Sequence, residues 1–186
     1  MKLYGSYTSP FVRHCRIALM ENQVPFEFEP TDYSQSAANS PTKRVPFLRD
    51  GELFFTDSSA ILHHVRSKAD KSFLATPSET ELYALANTAL DTAINVFLLE
   101  KDGITEERSA YVARQKSRIT TCLEALNRSD FDFEGRPSDA QWRVACLLAW
   151  ATYRNRFDYG RYNELCGFLT KVQGIAEFKE TAPPPA

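Results

Sequence analysis

The sequence predicts an α/β unit followed by an all-helical unit. Alternating apolar segments bounded by turn residues occur only ahead of Asp57, whereas from Ser78 onward the apolar residues recur at helical spacing and no strand pattern appears. Between the two lies a polar stretch, residues 68–78, that ends in Pro77-Ser78 and reads as a linker. A chain of 186 residues is long enough for two small domains that each bury a core.

The opening is β-α-β. Lys2-Leu3-Tyr4-Gly5 reads as a short strand, and from Pro10 to about Asn22 the residues Val12, Cys15, Ala18 and Leu19 form one face of an amphipathic helix. Val24, Phe26 and Phe28 then alternate with Pro25, Glu27 and Glu29 as a second strand, which Pro30-Thr31-Asp32 ends. A polar loop rich in Ser, Ala and Asn leads to Val45-Pro46-Phe47-Leu48-Arg49. Asp50-Gly51 between that run and Glu52-Leu53-Phe54-Phe55 is a hairpin signal. Thr56 and Asp57 are good N-caps for a helix carrying Ile61, Leu62 and Val65.

In the second unit, Ser78 and Glu81 have the spacing of a capping box, in which each side chain accepts from the other residue's backbone N–H. Leu82, Leu85, Ala89, Ala93 and Val96 line the helix that follows, and Val112, Ile119, Cys122, Leu123 and Leu126 line the next. Ser138 and Gln141 repeat the capping-box spacing ahead of Trp142, Ala145, Cys146, Ala149 and Tyr153, and a shorter helix spans Tyr162 to Val172.

Charged residues make up 25% and hydrophobic ones 43%, an ordinary globular composition. With a net charge of -2 and dispersed lysines and arginines, no nucleic-acid partner is expected. No apolar stretch approaches the roughly eighteen residues of a membrane span, and Met1-Lys2-Leu3-Tyr4-Gly5 lacks the apolar core of a signal peptide, so a cytoplasmic protein is expected. Cys15, Cys122, Cys146 and Cys166 are scattered without a C-x-x-C pair and are read as buried reduced thiols, with no metal site. His14, His63 and His64 are read as structural.

The most informative string is Thr8-Ser9-Pro10-Phe11-Val12-Arg13, between the first strand and the first helix. It sets a hydroxyl and then a proline at a helix start, where unpaired backbone N–H groups attract anions. With Arg44-Val45-Pro46 and Asp57-Ser58-Ser59 further on, it reads as a site for a small anionic thiol.

S-P-F-V-R-H-C-R-I-A-L at 9–19, R-V-P-F-L at 44–48, F-T-D-S-S-A-I at 55–61, P-S-D-A-Q-W-R-V-A at 137–145 and F-K-E-T-A-P-P-P at 178–185 occur in an order and spacing that resemble a bacterial glutathione transferase over nearly the whole chain. The resemblance implies a thioredoxin-like glutathione-binding domain over residues 1–74 and an all-helical domain over 78–186. It also implies a homodimer that takes glutathione as co-substrate and conjugates it to a small electrophile, in detoxification. The chain departs from the family's frequent choices at Arg44 (lysine), Asp57 (Glu or Gln) and Gln141 (Asp), and its helical domain is shorter than usual.

Glutathione chemistry needs the thiolate, and a free thiol has a pKa of about 8.5. A helix N-terminus contributes about 0.3–1 kcal/mol, up to ~2, against about 1.4 kcal/mol for each pKa unit. A directed hydrogen bond is therefore needed as well, from the Ser9 hydroxyl or from a first-turn N–H, which makes Ser9 the catalytic candidate. Tyr7 is the alternative donor, since some members of the family use a tyrosine near the end of the first strand. The resemblance further implies a cis Val45-Pro46 turn whose Val45 backbone groups hold the cysteinyl part of glutathione. Ser58 and the N–H groups around it are candidates for the γ-glutamyl carboxylate. Asp57 either meets the ligand's ammonium group or serves only as a cap, and Arg44 either reaches the glycyl carboxylate or is solvated. Phe11 and Arg13, one turn into the first helix, are candidates to border the site. Trp142, Trp150, Phe157 and Tyr159 are either core residues or lining for the electrophile.

Two other functions share the scaffold. A glutathione-dependent oxidoreductase or isomerase usually has a cysteine where Ser9 stands, and Cys15 lies on the apolar helix face instead. A non-catalytic interaction module often lacks the hydroxyl and the acidic-serine pair, both of which this chain has.

Overall fold

The computed structural model describes residues 1–185, and its contacts divide the chain into two units: Met1–Phe73 together with the segment from Gln173 onward, and Leu74–Val172.

The first unit is built on a sheet of β1 (Lys2–Gly5), β2 (Glu27–Pro30), β3 (Phe47–Asp50) and β4 (Leu53–Phe55), in the order β2-β1-β3-β4. β1 runs parallel to β2 and antiparallel to β3, and β4 is antiparallel to β3. Leu3, Leu48 and Phe55 stand in register and therefore share one face of the sheet, while Tyr4 and Phe47 share the other and stack at 4.5 Å. The helices α1 (Pro10–Glu21) and α3 (Ser58–Lys68) pack against each other, and α1 bears on the first of these faces so closely that Gly5 has no room for a side chain. A Cβ built there lies 2.5 Å from Val12 Cγ2 and 2.6 Å from Cγ1. Val12 is β-branched and fully buried, so it cannot swing aside. Gly5→Ala is expected to cost about 1–3 kcal/mol through overpacking. Chemical denaturation should show this loss, and the double variant with Val12→Ala should recover part of it.

Residues 31–44 were expected to be a loop but contain α2 (Tyr33–Asn39). Asp32 accepts from the Gln35 N–H and the Gln35 side chain accepts from the Asp32 N–H, a capping box that low apolar content concealed. The second strand is also shorter than its alternation suggests. Its pairing with β1 begins at Glu27, because the Val24 N–H is bonded instead to the Leu19 carbonyl at the end of α1.

The second unit consists of α4 (Pro77–Lys101), α5 (Ala110–Leu126), α6 (Asp139–Arg154) and α7 (Asn163–Val172). α4 starts from Thr76, whose hydroxyl accepts from the Glu79 N–H, and not from the expected Ser78–Glu81 box: Pro77 is at the first helical position and Ser78 is already inside the first turn. Its buried residues are Tyr83, Ala86, Ala89, Leu90, Thr92, Ala93 and Val96, so Ala89, Ala93 and Val96 are buried as expected while Leu82 and Leu85 are only half-buried. α4 is also long and apolar enough to cross a membrane, contrary to the expectation that no segment is. It packs against α5 and α6 along that buried face, which is what a core helix of a folded domain requires. α6 has the Ser138–Gln141 capping box as expected and is buried on almost every side, with Trp142, Arg143, Ala145, Cys146 and Leu147 fully enclosed.

The last helix, α8 (Ala176–Glu180), belongs with the first unit and packs on α1. The stretch from Gln173 onward, which the sequence groups with the helical domain ending at 186, thus returns to the α/β unit. The cause lies in α1: Arg13 donates through Nη2 to the Phe178 carbonyl at 2.6 Å, and its guanidinium lies 3.7 Å above the Phe178 ring.

Candidate functional site

The strand register brings three loops to one end of the sheet. The C-terminal end of β1 runs into Ser6–Ser9, and the pairing of Tyr4 with Phe47 puts the start of β3, and with it Val45-Pro46, beside that end. Phe55 pairs with Leu48, so β4 also finishes at this end, and Asp57-Ser58 follow it. Both α1 and α3 therefore begin here, with the positive ends of their dipoles and their first-turn N–H groups. The two helix starts are linked, because the Cys15 thiol donates to the Ser58 carbonyl at 3.9 Å.

Ser9 is the N-cap of α1, with extended backbone (φ -83, ψ 124), and its Oγ accepts from the Val12 N–H at 3.4 Å. That bond uses one acceptor lone pair and leaves the hydroxyl hydrogen free to donate. Pro10 follows at the first helical position as expected. Ser6 was not singled out in the sequence, yet it shapes the approach to Ser9. Its Oγ accepts from the Thr8 N–H at 3.3 Å and lies 3.0 Å from Thr8 Oγ1, and its carbonyl accepts from the Ser9 N–H at 3.1 Å. The pattern Ser-x-Thr, a hydroxyl able to bond two residues on, was the available signal.

The Val45-Pro46 peptide is cis, and Val45 is half-buried. Arg44 is exposed beside it. Asp57 caps α3, its Oδ1 accepting from the Ser59 N–H at 2.8 Å, while Ser58 is buried at the first helical position. Phe11 is half-buried in the first turn of α1. Arg13, one of the two candidates to border the site, is only 7% exposed, and its side chain is committed to α8. Trp142 and Trp150 are core residues. The ring of Tyr7, the alternative donor, lies 4.8 Å from Phe28, and the Arg16 guanidinium is 5.1 Å from each ring. Burial pulls the Arg16 pKa below its usual value.

Cys15, Cys122 and Cys146 are buried free thiols, and burial pushes the Cys122 thiol up; Cys166 is only half-buried, its thiol donating to the Tyr159 carbonyl at 3.5 Å. Among the described residues no three His, Cys, Asp or Glu side chains cluster as metal ligands would.

His64 stacks on Phe55 and its Nε2 is 2.8 Å from Asp50 Oδ2, which ties the β3–β4 hairpin to α3. The hydrogen bond from His64, and next the one from Lys68, hold the Asp50 carboxyl below the usual carboxylate range. A carboxyl whose folded pKa lies below its unfolded value stabilises the fold above the unfolded value of about 3.9 and loses that contribution as pH falls through the folded one. Urea melts between pH 6 and pH 2 should therefore fall less steeply on the acid side for Asp50→Asn than for the wild type.

The model described as Glutathione S-transferase, N-terminal domain matches residues 3–73. The uncharacterized GST-like protein YibF of Escherichia coli (strain K12) is 30% identical over 169 residues, covering 83% of this chain and 83% of its own. The chain belongs to the glutathione S-transferase family. Among solved structures, a glutathione S-transferase from Methylobacterium radiotolerans, in complex with glutathione sulfonate, superposes with a TM-score of 0.85 at 23% identity, over 100% of this chain and 95% of that one. Maleyl Pyruvate Isomerase, a bacterial glutathione S-transferase of the Zeta class, superposes with a TM-score of 0.77 at 20% identity, over 98% of this chain and 97% of that one. The fold is thus that of the glutathione transferases, a thioredoxin-like sheet with its helices and an all-helical part. It serves more than one chemistry, so what this family member does must be argued from its site.

Proposed function

We propose that this protein binds glutathione at the end of the sheet where α1 and α3 begin, and that Ser9 stabilises its thiolate for attack on a small electrophile. The observation that carries the reading is the register: it aligns a hydroxyl-capped helix start, a backbone segment before a cis proline and a second capped helix start along one edge. The fold relative from Methylobacterium radiotolerans, crystallised with glutathione sulfonate, supports the choice of ligand.

In this reading each part of an anionic tripeptide has a partner. The Ser9 hydroxyl and the N–H groups of the first turn of α1 donate to sulfur, and hydrogen bonds to the charged form lower the thiol pKa. Val45 offers its backbone N–H and C=O to the cysteinyl residue. Ser58 and the start of α3 receive the γ-glutamyl carboxylate, with Asp57 toward the ammonium group, and Arg44 faces the glycyl carboxylate. Phe11 borders the ligand. In the reaction the sulfur lone pair forms the new S–C bond while the electrophile's leaving group departs with its electron pair, and the thiol proton goes to solvent. The protein acts in this reading as a cytoplasmic homodimer in the detoxification of small electrophiles.

Conjugation is preferred to thiol–disulfide exchange. The nearest cysteine to the site in sequence, Cys15, is fully buried with its thiol bonded to the Ser58 carbonyl, out of reach of a mixed disulfide. The test is a calorimetric titration with glutathione, followed by thiolate absorbance of the complex across pH and a conjugation assay with an activated aryl chloride. Binding in the micromolar to millimolar range, thiolate present at pH 7 and product formation are expected. Absence of binding heat and of thiolate absorbance would end the proposal, whereas binding without product would point to an interaction module.

A further inference from the structure

α8 has five residues, far fewer than an isolated helix needs to persist in water. One side chain of α1 grips it at several points. The Arg13 guanidinium donates through Nη2 to the Phe178 carbonyl at 2.6 Å and through Nε to Thr181 Oγ1 at 3.4 Å, and it covers the Phe178 ring at 3.7 Å. Phe178 and Thr181 are buried with it, at 3% and 0% exposure. The Phe178 carbonyl belongs to the last turn of α8, where it also accepts from the Thr181 hydroxyl at 3.4 Å. The planar fork of arginine suits this two-point grip, which a lysine cannot reproduce.

Arg13 is also the residue whose backbone N–H makes the opening bond of α1, to the Ser9 carbonyl at 2.9 Å. Its side chain and its main chain thus join the C-terminal segment to the turn that carries Ser9. The first turn of a helix is where fraying starts, and a hydrogen bond to a thiolate depends on direction as well as distance. We propose that Arg13 is a positioning residue: by clamping α8 it holds the first turn of α1, and so the Ser9 hydroxyl and the neighbouring N–H groups, in the geometry that favours the thiolate. This rests on the proposed glutathione chemistry, although the clamp itself can be tested without it.

The experiment compares full-length wild type with Arg13→Met, Arg13→Lys and Thr181→Val. Thr181→Val is the mild variant, keeping shape while removing one hydroxyl. Amide hydrogen exchange at Val12 and Arg13 reports the clamp directly. Protection there should fall at least threefold more than at the centre of α3 in Thr181→Val, and further in Arg13→Met. With glutathione bound, the thiol pKa should rise by about half a unit to one unit in Arg13→Met, three- to tenfold less thiolate at pH well below it. kcat should drop more than KM for glutathione changes, with Arg13→Lys intermediate. A thiol pKa and exchange pattern equal to wild type in all variants, with only a lower melting temperature, would overturn the proposal and leave Arg13 a packing residue. If wild type binds no glutathione, the proposed function fails, and exchange at Val12 and Arg13 alone then decides the clamp.

Discussion

Ser9→Ala is expected to lower conjugation turnover by about 10- to 100-fold at pH 6.5. A hydrogen bond to a charged group contributes about 1.5–3 kcal/mol, and each 1.4 kcal/mol is a factor of ten. The thiolate titration of bound glutathione should move upward in parallel, so that the deficit narrows as pH rises above 9. Alanine also removes the cap that Val12 N–H uses, at a cost of about 0.5–2 kcal/mol in stability. The two effects separate with further variants. Ser9→Gly costs a cap only a few tenths of a kcal/mol, so its loss of turnover reads the missing donor alone. Ser9→Thr keeps both donor and cap and should retain most activity. Tyr7→Phe, whose ring is occupied by Phe28 and Arg16, should change turnover less than twofold. A tenfold fall there with Ser9→Ala silent would transfer the donor role to Tyr7.

The largest loss of stability is expected from Trp142→Ala. Trp142 is fully buried on α6, beside Arg143 and in a helix enclosed on nearly every side. Aromatic-to-alanine changes in cores cost about 3–5 kcal/mol, because the transfer free energy is lost and the cavity closes only in part. For a domain whose whole stability is of the order of 5–15 kcal/mol, that is a large share. Urea unfolding followed by far-ultraviolet circular dichroism should show the shift. Fluorescence is the wrong probe, since Trp142 is one of only two tryptophans. A loss under 1 kcal/mol would mean that the α6 core collapses around the gap.

The elements legible in the sequence are those whose own residues carry the signal. Asp50-Gly51 marked the hairpin, with Gly51 at φ 59, and Ser138 with Gln141 marked the start of α6. Pro10 after Ser9 marked the start of α1, which is why the candidate site was legible at its helix starts. What the sequence concealed is either weakly signalled locally or depends on a partner elsewhere in the fold. α2 has few apolar residues to announce it. Pro77 takes the first helical position of α4, so the cap is Thr76, two residues ahead of the expected Ser78. Arg13 looked like a site residue by its place one turn beyond Ser9. Only the fold reveals that its side chain points to Phe178 and not to the helix mouth. Gly5 gave no local sign either, since its need for an absent side chain comes from Val12 packed above it.

The grouping of the segment from Gln173 onward with the first unit has a consequence for biosynthesis. Domains fold as units while the chain emerges from the ribosome, N-terminal parts first. Here the sheet and α1 are exposed long before their last piece exists, because Phe178 lies 165 residues beyond Arg13. A nascent chain arrested after Val172 would contain all of the helical unit but would lack the α8 that packs on α1. The segment around α8, translated after the helical unit, therefore completes a unit that was begun with β1.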